Sequence, residues 1–171
     1  MGSGQGGVEP GGRPRALDPR ALLRTLGAHR VEFVVIGGFS VAAHGVVRAT
    51  KDLDIVPEPS AANWSRLAAA LRELHAEVDL GDMSADELGI APDETGLAGG
   101  GNWILQTVHG RLDVMQDVAG LRSWQQLRAG AVKRGGVLYA GYQELVSMKS
   151  AAGRDEDLAD IAKLRAARGE S

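Results

Sequence analysis

The sequence predicts an α/β (α+β) chain built on a small mixed sheet flanked by helices. Three observations predict it. Short β-branched runs, Val31 to Ile36 and Lys51 to Val56, end at glycine or proline. Between and after them lie segments whose apolar residues recur at helical spacing. The order that results is helix, strand, helix, strand, helix, hairpin, helices, which is the alternation of a layered domain.

Asp18 before Pro19 is a cap followed by a first-turn proline, and Leu22, Leu23 and Leu26 share a face before Gly27. This is the first helix. Val31 to Ile36 stops at Gly37 and Gly38, as a buried strand entering a tight turn does, and Ser40 to Val46 has helical composition. Lys51 to Val56 is a second strand closed by Pro57 and Pro59. Ser60 then caps a helix with Trp64, Leu67, Leu71 and Leu74 on one side. Gly81 to Gly101 has no period and reads as a long loop near an active site, its carboxylates solvated. Trp103 to Val108 and Arg111 to Met115 form a hairpin around His109-Gly110. From Gln143 two helices follow, the second with Leu158, Ile161 and Leu164 on its apolar face.

Residues 1–15 are glycine-rich and aperiodic, a flexible arm or a vector-derived tail, so the expected domain is 16–171 with helices at its C-terminal end. The chain has 171 residues, 44% hydrophobic and 24% charged, enough for one core without staples. It has no cysteine, which excludes disulfides, thiolate metal sites and a cysteine nucleophile. No stretch is apolar enough for a membrane helix or a secretory signal, so the expectation is a cytoplasmic protein with no membrane partner. A net charge of -3 argues against binding nucleic acid through bulk charge.

The chemistry gathers in Gly37-Gly38-Phe39-Ser40 and, one helix later, Asp52-Leu53-Asp54. Two glycines ahead of a helix let a ligand approach the backbone, and the helix start offers N–H groups to a polyanion, with Ser40 as a further donor. Alternation along a strand puts Asp52 and Asp54 on one face and Leu53 and Ile55 on the other. Paired carboxylates suit a hard cation, Mg²⁺ (or Mn²⁺), shared with substrate phosphates. Asp113, the polar residue between Leu112 and Val114, is the candidate third ligand.

These motifs, in this order, resemble the nucleotidyltransferase superfamily related to DNA polymerase β. The run Gly37 to Gly45 and the run Arg48 to Ile55 are similar to small bacterial AbiEii-type toxin nucleotidyltransferases and to aminoglycoside nucleotidyltransferases. Met148-Lys149 and Arg154 to Ile161 resemble their helical tail, so the resemblance spans about Leu22 to Leu164. It implies a minimal polymerase β-like fold with metals on Asp52 and Asp54. Asp113 would bind the second metal and help activate the acceptor. Gly37, Gly38, Ser40 and Lys149 would serve the triphosphate. The implied reaction moves a nucleoside monophosphate from a nucleoside triphosphate such as ATP to an acceptor hydroxyl. That acceptor is an RNA end, a protein or a small molecule, in a toxin–antitoxin or resistance setting where a cognate partner protein would fit.

Blander readings stand beside these. The glycine pair is a turn, and His44 is a structural histidine. Arg48, Thr50 and Lys51 form a solvated loop as readily as a phosphate contact, and Lys149, Arg154, Asp157 and Asp160 read as spaced helix charges. The alternative function is a catalytically silent nucleotide-binding or interaction module of the same fold.

Overall fold

The computed structural model describes residues 15–170; apart from Arg15, the arm assigned to residues 1–15 lies outside them. The first helix, α1 (Pro19–Ala28), starts where expected, with Asp18 accepting from the Ala21 N–H at 3.0 Å. Then come β1 (Phe33–Ile36), α2 (Gly37–Ala43), β2 (Asp52–Pro57) and α3 (Ala61–Glu73). Ser60 caps α3 by accepting from the Asn63 N–H. The central part holds β3 (Glu77–Val78), the short helices α4 (Ala85–Leu88) and α5 (Glu94–Ala98), and the hairpin β4 (Trp103–Thr107) and β5 (Gly110–Val114). The chain continues through α6 (Trp124–Gly130), β6 (Val132–Arg134) and β7 (Val137–Tyr139) to α7 (Tyr142–Ala152) and α8 (Asp155–Ala167).

The strands form one seven-stranded sheet in the order β3-β4-β5-β2-β1-β7-β6. It is mixed: β2 runs parallel to β5 and β1 parallel to β7, while the other neighbours are antiparallel. Alternation sorts the strand residues between two layers. Leu53, Ile55, Leu105 and Leu112 pack with Leu22, Leu26, Leu67 and Leu71 against α1 and α3. Val34, Ile36 and Val56 point the other way, toward Val41, Leu127, Leu145 and Leu164 of α2, α6, α7 and α8. The mixed sheet flanked by helices is therefore the architecture that forms.

Four local expectations change. The glycine pair is not a turn ahead of a helix but the first turn of α2 itself. The hairpin loop is Val108-His109, one residue earlier than read, because Thr107 pairs with Gly110. Gly110 needs no side chain: its φ is +95°, and a Cβ would come within 2.7 Å of Leu17 Cα. The stretch 81–101 carries α4 and α5, and fully buried Leu97 seats α5 on the α3 side, the face away from Asp52 and Asp54. Finally, Leu158 is 52% exposed, and α8 buries Asp157, Asp160, Ile161 and Leu164 instead. None of the helices among the described residues is long and apolar enough to cross a membrane.

Candidate active site

Register does most of the work of assembly. Asp54 of β2 lies directly beside Asp113 of β5, and Asp52 beside Arg111. Residues paired across neighbouring strands project from the same face, so Asp52, Asp54, Asp113 and Arg111 share one surface. Leu53 and Leu112, their neighbours in sequence, are fully buried on the opposite face and lock that orientation. One carboxylate oxygen from each of the three aspartates lies within 4.8 Å of the others.

Three carboxylates this close are electrostatically unstable alone. Burial, then the charges of Asp52 and Asp113, push the Asp54 carboxyl up from 3.8 to about 7, with Arg111 and Lys149 opposing the shift. Arg111 is the feature the sequence reading missed. Its Nε and Nη2 donate to the two oxygens of Asp113, both at 2.8 Å, and Nε stands 3.7 Å from Asp52 Oδ2. The signal was present as Arg-x-Asp, since a period of two puts both side chains on one face. The donor set is all oxygen and short of positive charge, which is what a hard divalent cation takes.

The start of α2 abuts this surface. A Cβ on Gly37 would overlap Asp54 Oδ2, and one on Gly38 would lie 2.8 Å from Thr50 Oγ1 and 3.4 Å from Arg48 Nε. The pair thus admits Asp54 and the loop before β2 to the helix start, which no side chain caps. Ser40 does not face this opening. It is fully buried and its hydroxyl donates to the Ala140 carbonyl at 3.1 Å, so the expected phosphate donor is already engaged in joining α2 to the end of β7. His44 Nε2 meets the same carbonyl at 2.9 Å, in keeping with a structural histidine. Ser40→Ala should cost about 1 kcal/mol of stability in denaturant unfolding. It should leave triphosphate affinity within about twofold, and a larger loss of affinity would return Ser40 to the binding site.

Lys149 is also placed differently from a free phosphate ligand. It is 6% exposed, and its Nζ meets Asp157 Oδ1 at 3.0 Å and Asp160 Oδ2 at 2.8 Å. Arg154 Nε donates to Asp157 Oδ2 at 2.7 Å, and Arg48 pairs with Asp160. Burial alone would raise Asp157, but hydrogen bonds from Arg154 and Lys149 outweigh it and hold the carboxyl below the usual range. Of the charges expected to be solvated, Arg154 stays exposed, while Lys149, Asp157 and Asp160 are a buried cluster that Arg48 ties to the loop before β2, because a lysine buried beside two carboxylates is tolerated where an unpaired one is not. Lys149 and Arg154 still lie near enough to act electrostatically with Asp54.

No protein-family model and no curated protein matches the chain. Among solved structures, it is similar to the crystal structure of a candidate nucleotidyltransferase from Thermotoga maritima. The TM-score is 0.52 at 16% identity, over 87% of this chain and 94% of that one. It also matches the crystal structure of ANT(2″)-Ia in complex with adenylyl-2″-tobramycin, with a TM-score of 0.47 and 11% identity over 86% of this chain and 94% of that one. The first of these shows that the fold is nucleotidyltransferase-like.

Proposed function

We propose that the protein is a metal-dependent nucleotidyltransferase that moves a nucleoside monophosphate from a nucleoside triphosphate to an acceptor hydroxyl. The observation that carries this reading is the meeting of Asp52, Asp54 and Asp113, from two parallel strands, beside the uncapped start of α2. A nucleotidyltransferase-like fold agrees with it.

In this reading Asp52 and Asp54 would hold Mg²⁺ (or Mn²⁺), and Asp113 would bind a second ion on the acceptor side. The bound metal would polarise the α-phosphoryl group and offset charge on the leaving pyrophosphate. The N–H groups at Gly37 and Gly38 would donate to triphosphate oxygens, whereas Arg48, Lys149 and Arg154 are already balanced by Glu156, Asp157 and Asp160. The acceptor oxygen bonds to the α-phosphorus as the bond to the pyrophosphate oxygen breaks. An oxygen of Asp113 takes the proton. Of the acceptor classes, a small cationic molecule is favoured by the net charge of -3. RNA ends and a partner protein, as in a toxin–antitoxin pair of AbiEii type, are the competing acceptors.

One observation favours a second reading. Arg111 already neutralises Asp113, as befits a catalytically silent nucleotide-binding module. Incubating the protein with each α-labelled triphosphate, Mg²⁺ and pooled small-molecule, RNA and protein acceptors separates the two. Transfer of label with release of pyrophosphate, lost in the Asp52→Ala, Asp54→Ala double variant, is the expected result. Triphosphate binding indifferent to metal, with no transfer to any acceptor, would leave the silent module.

A further inference from the structure

We infer that Arg111 is a tethered cation that holds Asp113 until a divalent metal displaces it, and that Asp79 is the seat to which it moves. The inference rests on the metal-site reading above and concerns how that site is kept without metal.

Arg111 grips both oxygens of Asp113 and reaches toward Asp52, so one side chain sets its positive charge directly against two of the three carboxylates. A fork of two charge-assisted hydrogen bonds is specific, and it takes one lone pair of each Asp113 oxygen. A metal at Asp113 therefore competes with the guanidinium for the same carboxylate charge. The guanidinium is not sealed in: the side chain is 37% exposed, and beside it the sheet continues through β4 and β3.

On that side a receiving group is ready. Gln106 is the register partner of Arg111, and its amide donates to Asp79 Oδ2 at 3.0 Å. Asp79 follows β3 directly, its N–H bonded to the Ile104 carbonyl at 2.8 Å, so the backbone fixes its carboxylate at the edge of the same open surface. Arg111 already contributes to holding the Asp79 carboxyl below its usual range, after the hydrogen bonds from Gln106 and the Gly81 N–H. No salt bridge engages Asp79 among the described residues. Arg111 thus stands between Asp113 and Asp52 inside the metal site and, outside it, Asp79 and the register neighbour Glu77, of which Asp79 shares the Gln106 amide.

The test is binding of Mn²⁺ alone, followed by the electron paramagnetic resonance of the free ion. The proteins are wild type, Arg111→Gln, Arg111→Lys, Asp79→Asn and the Asp79→Asn, Arg111→Gln pair, each checked for folding by circular dichroism. Arg111→Gln should bind about tenfold tighter, the equivalent of one lost charge-assisted fork. Arg111→Lys, which keeps the charge but cannot grip both oxygens, should fall between it and wild type, and it carries the test if the glutamine variant does not fold. Asp79→Asn should weaken binding several-fold in wild type and leave the Arg111→Gln protein unchanged. Equal affinity in wild type and both arginine variants overturns the displacement, and an Asp79→Asn effect that persists without Arg111 overturns the second seat. Binding only once Arg111 is replaced supports the inference. A folded set in which no protein binds Mn²⁺ removes the metal site itself, and the inference with it.

Discussion

Asp54→Asn should make the metal-free protein more stable while sharply reducing the proposed transfer. The Asp54 carboxyl is raised to about 7 by burial and by the charges of Asp52 and Asp113, whereas in the unfolded chain it returns to about 3.8. Below pH 4 the group is protonated in both states and contributes nothing. Between pH 4 and 7 the folded state holds a proton that the unfolded state has lost, so this group's contribution to stability falls as pH rises. Above pH 7 both states are ionised and the full penalty applies, on the order of a few kcal/mol at most. Thermal unfolding in chelator should show wild type and variant together near pH 4, separating through pH 5 to 7, and a constant gap beyond, with the variant higher by several degrees. Saturating Mn²⁺ at pH 7.5 should reverse the order, because only wild type gains full binding energy in the folded state. Transfer should fall by at least about 10²-fold. A variant no more stable than wild type at pH 7.5 in chelator would mean that Asp54 is not strained by its neighbours.

Such a site was legible in part because its essentials are local in sequence. Asp-Leu-Asp on a strand has one geometric meaning, and fully buried Leu53 and Leu112 enforce it. The caps at Asp18 and Ser60 are equally local, which is why α1 and α3 begin where expected. What escaped depends on partners distant in sequence or on elements too short to show a period. Asp157 and Asp160 look like solvent-facing charges until Lys149, on another helix, is packed against them; the apolar pattern then points to Leu158, which is exposed. The β6–β7 hairpin turns at Gly135-Gly136, both at positive φ, but each strand has only three residues, less than alternation needs to declare itself. Ser40 reads as a phosphate donor beside two glycines, and only the approach of β7, bringing the Ala140 carbonyl, shows where its hydroxyl goes.

Gly37→Ala should separate the geometry of the site from the stability of the fold. Gly37 has φ +67°, which costs an alanine about 1–2 kcal/mol, and its new Cβ would overlap Asp54 Oδ2. The fold can absorb this by turning the Asp54 carboxylate aside, since the clash is with the end of a side chain rather than with backbone. The cluster of oxygens within 4.8 Å cannot survive that turn. Gly45 supplies the control: its φ is +87°, yet a Cβ there meets nothing within 4 Å, so Gly45→Ala carries strain without contact. Both variants should lose a few degrees in thermal unfolding, but Gly37→Ala alone should lose Mn²⁺ affinity, by at least about tenfold. Gly38→Ala divides the effect further, because its Cβ would press on Thr50 and leave Asp54 in place. If Gly37→Ala kept wild-type Mn²⁺ affinity while losing stability like Gly45→Ala, Asp54 would not be holding the ion, and the metal would have to rest on Asp52 and Asp113 alone.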